Sequence, residues 1–206
     1  MKRLTFPENQ QMNIVDAQRE IRFRFSGGFY GQAVSGLIWL FSAIIASISS
    51  PQTAICFVVG GGFFIFPITE LLIRTVGTRS GLDNRNLLSQ LGMQVAFVLP
   101  FSMPILLPVT QYNLNLFYPA LMILLGSHYL PFVFLYGMRM FAALAAFLIG
   151  GGVIIAIYLS SSFSLGAWYT GTILLIFAAV GKTLVHQERQ KQCSLSSPEF
   201  IDESNL

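Results

Sequence analysis

Charge is scarce in this sequence. Asp, Glu, Lys and Arg make up 10% of its 206 residues, against about a quarter in a soluble domain. That deficit excludes an ordinary water-soluble globule. With 54% hydrophobic residues and a mean hydropathy of +0.65, such a chain would present large apolar patches to water, so lipid is the expected solvent. Cysteine is nearly absent: Cys56 lies in an apolar run and Cys193 in the polar tail. The topology derived below puts them on opposite sides of a bilayer, which excludes a mutual disulfide. No Cys/His spacing resembles a metal site, and no cofactor is expected. No nucleophile–base pair stands out, so an enzyme is not expected. The N-terminal Met1-Lys-Arg-Leu-Thr-Phe-Pro-Glu has no apolar core after its charges and does not read as a secretory signal. The net charge of +3 sits in the flanks of apolar runs, so no nucleic-acid partner is expected.

Long apolar runs are what the chain does have. Six approach the roughly 20 residues that cross a ~30 Å hydrocarbon core: Gly31–Ser49, Thr53–Ile73, Leu87–Val109, Leu116–Tyr136, Met140–Leu159 and Leu165–Val185. Their connections are short, which makes neighbouring helices antiparallel. All 12 Lys and Arg residues fall before the first run, after the second, between the fourth and fifth, and at the end of the sixth or beyond it. The three alternate loops carry none. Since basic residues stay on the cytoplasmic side, both termini are expected there, and an odd number of spans would destroy the pattern. The expected fold is all-α, a polytopic membrane bundle of six transmembrane helices. Residues 1–12 read as a disordered extension, 13–28 as a basic interfacial helix, 29–186 as the transmembrane domain and 187–206 as a disordered cytoplasmic tail. In the second of these, Asp16 is the expected N-cap, Ile14, Ala17, Ile21 and Phe25 fall near one face, and Arg19, Arg22 and Arg24 give the segment its positive charge. Gly27-Gly28 then lets the chain turn into the membrane. Tyr112, Tyr118, Trp168 and Tyr169 mark the headgroup layer on the other side.

Several residues depart from a plain apolar bundle. Pro100, Pro104 and Pro108 recur every four residues in the third span. Each lacks an N–H and crowds the carbonyl four residues earlier, so a break is expected at or just before Pro100. Pro67 and Pro131 are further helix-break candidates. Glu70 is one turn from Arg74, which permits either a boundary ion pair or a carboxylate facing a cavity. His128 lies eleven residues before Arg139, roughly 16 Å along a helix axis and near the midplane. Its imidazole can satisfy a neighbouring helix or bind a proton. Glu70, Arg74, Gln94 and His128 are the candidate ligand- or proton-binding residues. Gly60-Gly61-Gly62 and Gly150-Gly151-Gly152 occupy the middle span of each three-span half, as close-packing sites or a trace of inverted repeats. Ser35, Ser42, Ala46 and Ser49 give the first span a face of small residues.

From Met12 to about Lys182 the chain resembles an uncharacterised family of small bacterial six-span membrane proteins, a domain of unknown function. The matching stretches are Gly126-Ser-His-Tyr-Leu-Pro-Phe-Val-Phe-Leu-Tyr, Phe66-Pro-Ile-Thr-Glu-Leu-Leu-Ile and Asn86-Leu-Leu-Ser-Gln-Leu-Gly. The resemblance implies a bacterial inner-membrane protein starting naturally at Met12. It implies no activity, substrate or catalytic residue. The functional expectation is a small-solute or proton-linked transporter or channel whose partners are the bilayer and its solute, and which is compatible with homo-oligomers. A structural or accessory membrane protein is the alternative, and an intramembrane enzyme a third, more distant one. A reporter fused after Leu206, and another placed within Gly77–Asn84, should both report cytoplasm; a periplasmic signal from either would overturn the six-span topology.

Overall fold

The computed structural model describes residues 13–75 and 86–196. Among these residues there is no strand. Eight α-helices follow one another: α1 (Ile14–Arg24), α2 (Phe29–Ile48), α3 (Pro51–Thr75), α4 (Leu87–Ser102), α5 (Leu106–Tyr112), α6 (Phe117–Tyr136), α7 (Met140–Tyr158) and α8 (Leu165–Ser196). Six helical stretches are long and apolar enough to cross a membrane: Ser26–Ile48, Pro51–Thr75, Leu87–Tyr112, Leu114–Tyr136, Met140–Tyr158 and Leu165–Lys191. Each matches one of the runs expected from sequence, the first and fifth stopping one residue short of it.

The local signals explain most boundaries. Asn13, not Asp16, caps α1, its side chain accepting from the Val15 N–H at 3.2 Å. Asp16 sits instead in the first turn, where its charge suits the helix dipole. Between α1 and α2 the backbone is left-handed at Ser26, Gly27 and Gly28, with φ of 51°, 61° and 77°. At Gly27 a Cβ would lie 2.7 Å from the Val185 side chain, so this turn needs both the conformational freedom and the absent side chain. Ser50 opens α3, its hydroxyl accepting from Thr53 N at 3.2 Å, with Pro51 at the first helical position where its missing N–H costs nothing. Gly137, at φ 64°, ends α6.

The prolines behave unequally. The helix runs through Pro67 in α3 and Pro131 in α6. It also runs through Pro100, and the α-ladder of the third span is interrupted later, by a single 3-10 turn at Met103–Ile105 carrying Pro104, before α5 resumes around Pro108. A proline removes one N–H from the ladder. A tighter turn starting three residues on restores pairing, as Met103 N donates to the carbonyls of Leu99 and Pro100. The tail also differs from expectation. α8 does not end near 186 but continues to Ser196. Residues 187–191 are strong helix formers, and Glu188 and Arg189 are held by α1. Residues 1–12 and 197–206 lie outside the described residues, as does the second-to-third-span loop.

α2 packs between α3 and α8, α6 against α7 and, less extensively, α4, and α7 against α8. The closest approaches are made at glycines. At Gly36 of α2 a Cβ would meet the Gly171 carbonyl of α8 at 3.2 Å, and at Gly171 one would meet the Gly36 carbonyl at 3.0 Å. Gly126 and Gly152 do the same for α6 and α7, against the carbonyls of Ala145 and Pro119. In the glycine triplets the members differ: Gly61 faces Ile38 and Gly151 faces Tyr169, while Gly60 and Gly150 face open space. Such contacts let dispersion act over whole backbones, the main adhesive available in lipid. Near the end of the bundle away from α1, Ser42 donates to the Ala54 carbonyl at 2.9 Å and pairs with the Tyr118 hydroxyl. Because Ser42 spends its one proton on Ala54, Tyr118 donates to Ser42. Tyr118 is fully buried beside Trp39, so it is a core residue rather than part of a headgroup belt; Tyr112 is exposed and Tyr169 donates to the Phe147 carbonyl. Of the expected small-residue face, Ser35 and Ser42 are buried and Ser49 is exposed.

Two neighbouring substitutions test the packing. Gly152→Ala places a methyl 2.8 Å from a backbone oxygen and should cost about 1–3 kcal/mol, read as a lower melting temperature in detergent. Gly150→Ala meets nothing within 4 Å and should be neutral or stabilising by up to about 1 kcal/mol. Equal effects would refute the glycine contacts.

Candidate functional site

Two groups of polar residues stand out, one at the end of the bundle that carries α1 and one inside it. The first is organised by α1 itself. Ala17 and Ile21 are its buried positions, one turn apart, whereas Ile14 is exposed. Its polar residues reach four other helices. Gln18 donates to the Phe134 carbonyl at 2.6 Å and Arg22 to the Tyr136 carbonyl at 2.8 Å. These carbonyls belong to the last turn of α6, where a helix leaves acceptors unpaired, and the guanidinium also suits the negative end of its dipole. A Cβ at Gly137 would strike Gln18 at 2.8 Å, so the glycine that ends α6 also admits its cap. Arg22 further pairs with Glu188 of α8 at 2.8 Å. In return, Arg189 of α8 donates to the Phe23 carbonyl at 2.8 Å, capping α1 itself. Asn86 is 2% exposed and does double duty: its oxygen accepts from Leu88 N at 3.1 Å to start α4, while its amide donates to Glu20 at 2.7 Å and to the Ala17 carbonyl at 3.1 Å.

The sequence candidates Glu70 and Arg74 belong to this same end. Glu70 Oε1 meets Arg74 Nε at 3.0 Å and Arg24 Nη2 of α1 at 3.2 Å. The carboxylate is thus held between two guanidiniums, one from its own helix and one from α1.

The interior group is different. His128 is half-buried on α6, its ring edge-on to Phe132 at 5.2 Å and Tyr129 at 5.9 Å. Its Nδ1 is buried with no hydrogen-bond partner in the protein. The same holds for both amide atoms of Gln32 on α2, the hydroxyl of Thr69 on α3 and that of Thr170 on α8. Gln32 is 2% exposed and Thr170 is fully buried. Thr69 lies against α2 at Gly31, where a Cβ would be 3.7 Å from its hydroxyl. Gln94 is exposed on α4, between the exposed Met93 and Phe97. Of the four candidates, then, Glu70 and Arg74 come together, His128 joins the interior group, and Gln94 faces outward. Among the described residues no three His, Cys, Asp or Glu side chains converge as metal ligands.

Sequence reasoning missed Gln32, Thr69 and Thr170, although a glutamine at the second position of an apolar run was a visible signal. It also missed Gln18, Asn86 and Glu188, whose partners are distant in sequence. Asn86 alone announced itself locally, as a capping residue before an apolar run.

Asn86 separates the two roles it combines. Asn86→Asp keeps the acceptor that starts α4 but removes the donor to α1 and sets a carboxylate beside Glu20. Asn86→Ala removes both and should cost about 1–3 kcal/mol. In hydrogen-exchange mass spectrometry both should speed exchange of α1 amides, and only the alanine should speed exchange at the start of α4. Unchanged protection of α1 in both would show that Asn86 does not hold it.

No curated protein matches this chain, and no solved structure matches it. A family model described as a family of unknown function, DUF7010, matches residues 14–183. That span covers α1, five of the six membrane-length stretches, most of the sixth and the interior polar group, and the chain belongs to this family of unknown function.

Proposed function

We propose that the protein is a small-solute or proton-linked transporter or channel of a bacterial inner membrane, with α1 and both termini on the cytoplasmic side. One observation carries this reading: Gln32, Thr69, His128 and Thr170 bury polar atoms without protein partners on four different membrane-length helices. Hydrocarbon offers such groups nothing, and an unpaired buried donor or acceptor costs about 1–3 kcal/mol. Internal water or a bound solute relieves that cost, and a pathway for either is what a transporter needs. The distribution of basic residues supports the orientation. Catalysis is not part of this reading, since the interior group holds amide, hydroxyl and imidazole without an activated nucleophile.

The ion pairs of Glu70 favour a second, purely structural role for that carboxylate, so the transport reading rests on the interior group. In reconstituted vesicles, osmotic light scattering with urea and a pH-sensitive dye should register flux of water, urea or protons above that of protein-free vesicles. Gln32→Leu, Thr69→Val and His128→Ala should lower it severalfold while the proteins still insert and melt cooperatively. If wild-type vesicles are as tight as protein-free ones to all three, the transport reading fails. If the three variants only raise the melting temperature, the groups are structural imperfections of an accessory protein.

A further inference from the structure

We infer a binding site for the phosphate of an anionic phospholipid at the corner where α1 meets the end of α3, formed by Arg24 and Arg74. Three observations carry it. First, both guanidiniums converge on the same oxygen, Glu70 Oε1, at 3.2 and 3.0 Å. Two positive groups on one carboxylate leave a local excess of one positive charge. Arg24 is engaged through Nη2 and Arg74 through Nε; each guanidinium has five N–H donors in a planar fork, so donors remain for a second oxyanion. Phosphate matches that fork geometrically.

Second, the site has the right access. The Arg74 side chain is 66% exposed, although Arg24 and Glu70 beside it are 24% and 20% exposed. Arg24 is fixed further by its position over the Phe25 ring, 5.4 Å from the centroid. One arginine is therefore held in place and the other is open to the surroundings.

Third, the surroundings are those of a headgroup and its chains. Arg74 stands in the last turn of a membrane-length helix. Below it on the same helical face, at steps of three and four residues, lie Leu71, Pro67 and Phe63, all exposed. An anion held by Arg74 would thus sit above an apolar strip about 16 Å long, suited to an acyl chain. A free phosphate would make no use of that strip. The site commits to a lipid of net negative charge in the leaflet beside α1, where each arginine near an anionic surface contributes about a fivefold preference.

The test uses the full chain in detergent, titrated with phosphatidylglycerol or with phosphatidylcholine of matched chains and followed by native mass spectrometry. Wild type should retain phosphatidylglycerol preferentially. Arg74→Gln should reduce that preference about fivefold, Arg74→Lys should restore part of it, and Glu70→Gln should keep or raise it. Arg139→Gln, which removes an exposed charge at another helix junction, should leave it unchanged. The melting temperature of each variant without lipid checks folding. An equal loss in Arg74→Gln and Arg139→Gln would reduce the effect to overall charge and overturn the site. Displacement of phosphatidylglycerol by inorganic phosphate would assign the two arginines to a soluble anion and overturn the lipid assignment.

Discussion

A helix that ends inside protein must find partners for its last carbonyls, and a helix that begins there must find partners for its first amides. In this molecule several of them gather around α1 at one end of the bundle. Gln18 and Arg22 close α6, Asn86 starts α4 while holding α1, and Arg189 closes α1 in turn. Three of the four are charge-assisted or buried hydrogen bonds, which are stronger than exposed neutral ones. Remove α1, and the end of α6 loses two partners while Asn86, Glu188 and Arg189 lose theirs. The short amphipathic helix is therefore part of the bundle rather than an attachment resting on its surface.

The two ends of the bundle use different chemistry. At the α1 end, ion pairs and capping bonds join elements far apart in sequence. At the other end, one hydrogen-bonded chain from Tyr118 through Ser42 to the Ala54 carbonyl joins α6, α2 and α3. Along the bundle run backbone contacts at Gly36, Gly171, Gly126 and Gly152, and the unpartnered polar atoms of Gln32, Thr69, His128 and Thr170 belong to four different helices.

The outline of the fold was legible from sequence because span length and charge distribution are one-dimensional signals. Six apolar runs and the placement of Arg19, Arg22 and Arg24 locate the helices without tertiary information. The Glu70–Arg74 contact was legible for the same reason, as an i,i+4 pair. Arg24 as the second partner of Glu70 was not, since the two lie 46 residues apart. Proline was read too strongly: α3 and α6 continue through Pro67 and Pro131 because neighbouring turns and packing hold the helix where its own ladder is incomplete. The tail was read as disordered from its polarity, yet Glu188 and Arg189 have partners on α1 that polarity cannot reveal. Tyr118 shows the converse, a residue typed as interfacial by chemistry and buried by the Ser42 hydroxyl that satisfies it.

The length of α8 has a mechanical consequence. Its 32 residues form one helix, a rod of about 48 Å whose far end carries Glu188 and Arg189. Gly171, near its beginning, is pinned against α2, and its last turns are pinned to α1. A rod fastened near both ends transmits tilt as displacement: rotation by about 5° around its middle shifts each end by about 2 Å. That is comparable with the length of a hydrogen bond. Any change at the far side of the bundle that leans α8 is therefore delivered, undiminished by any joint, to the ion pair of Arg22 and the carbonyl of Phe23.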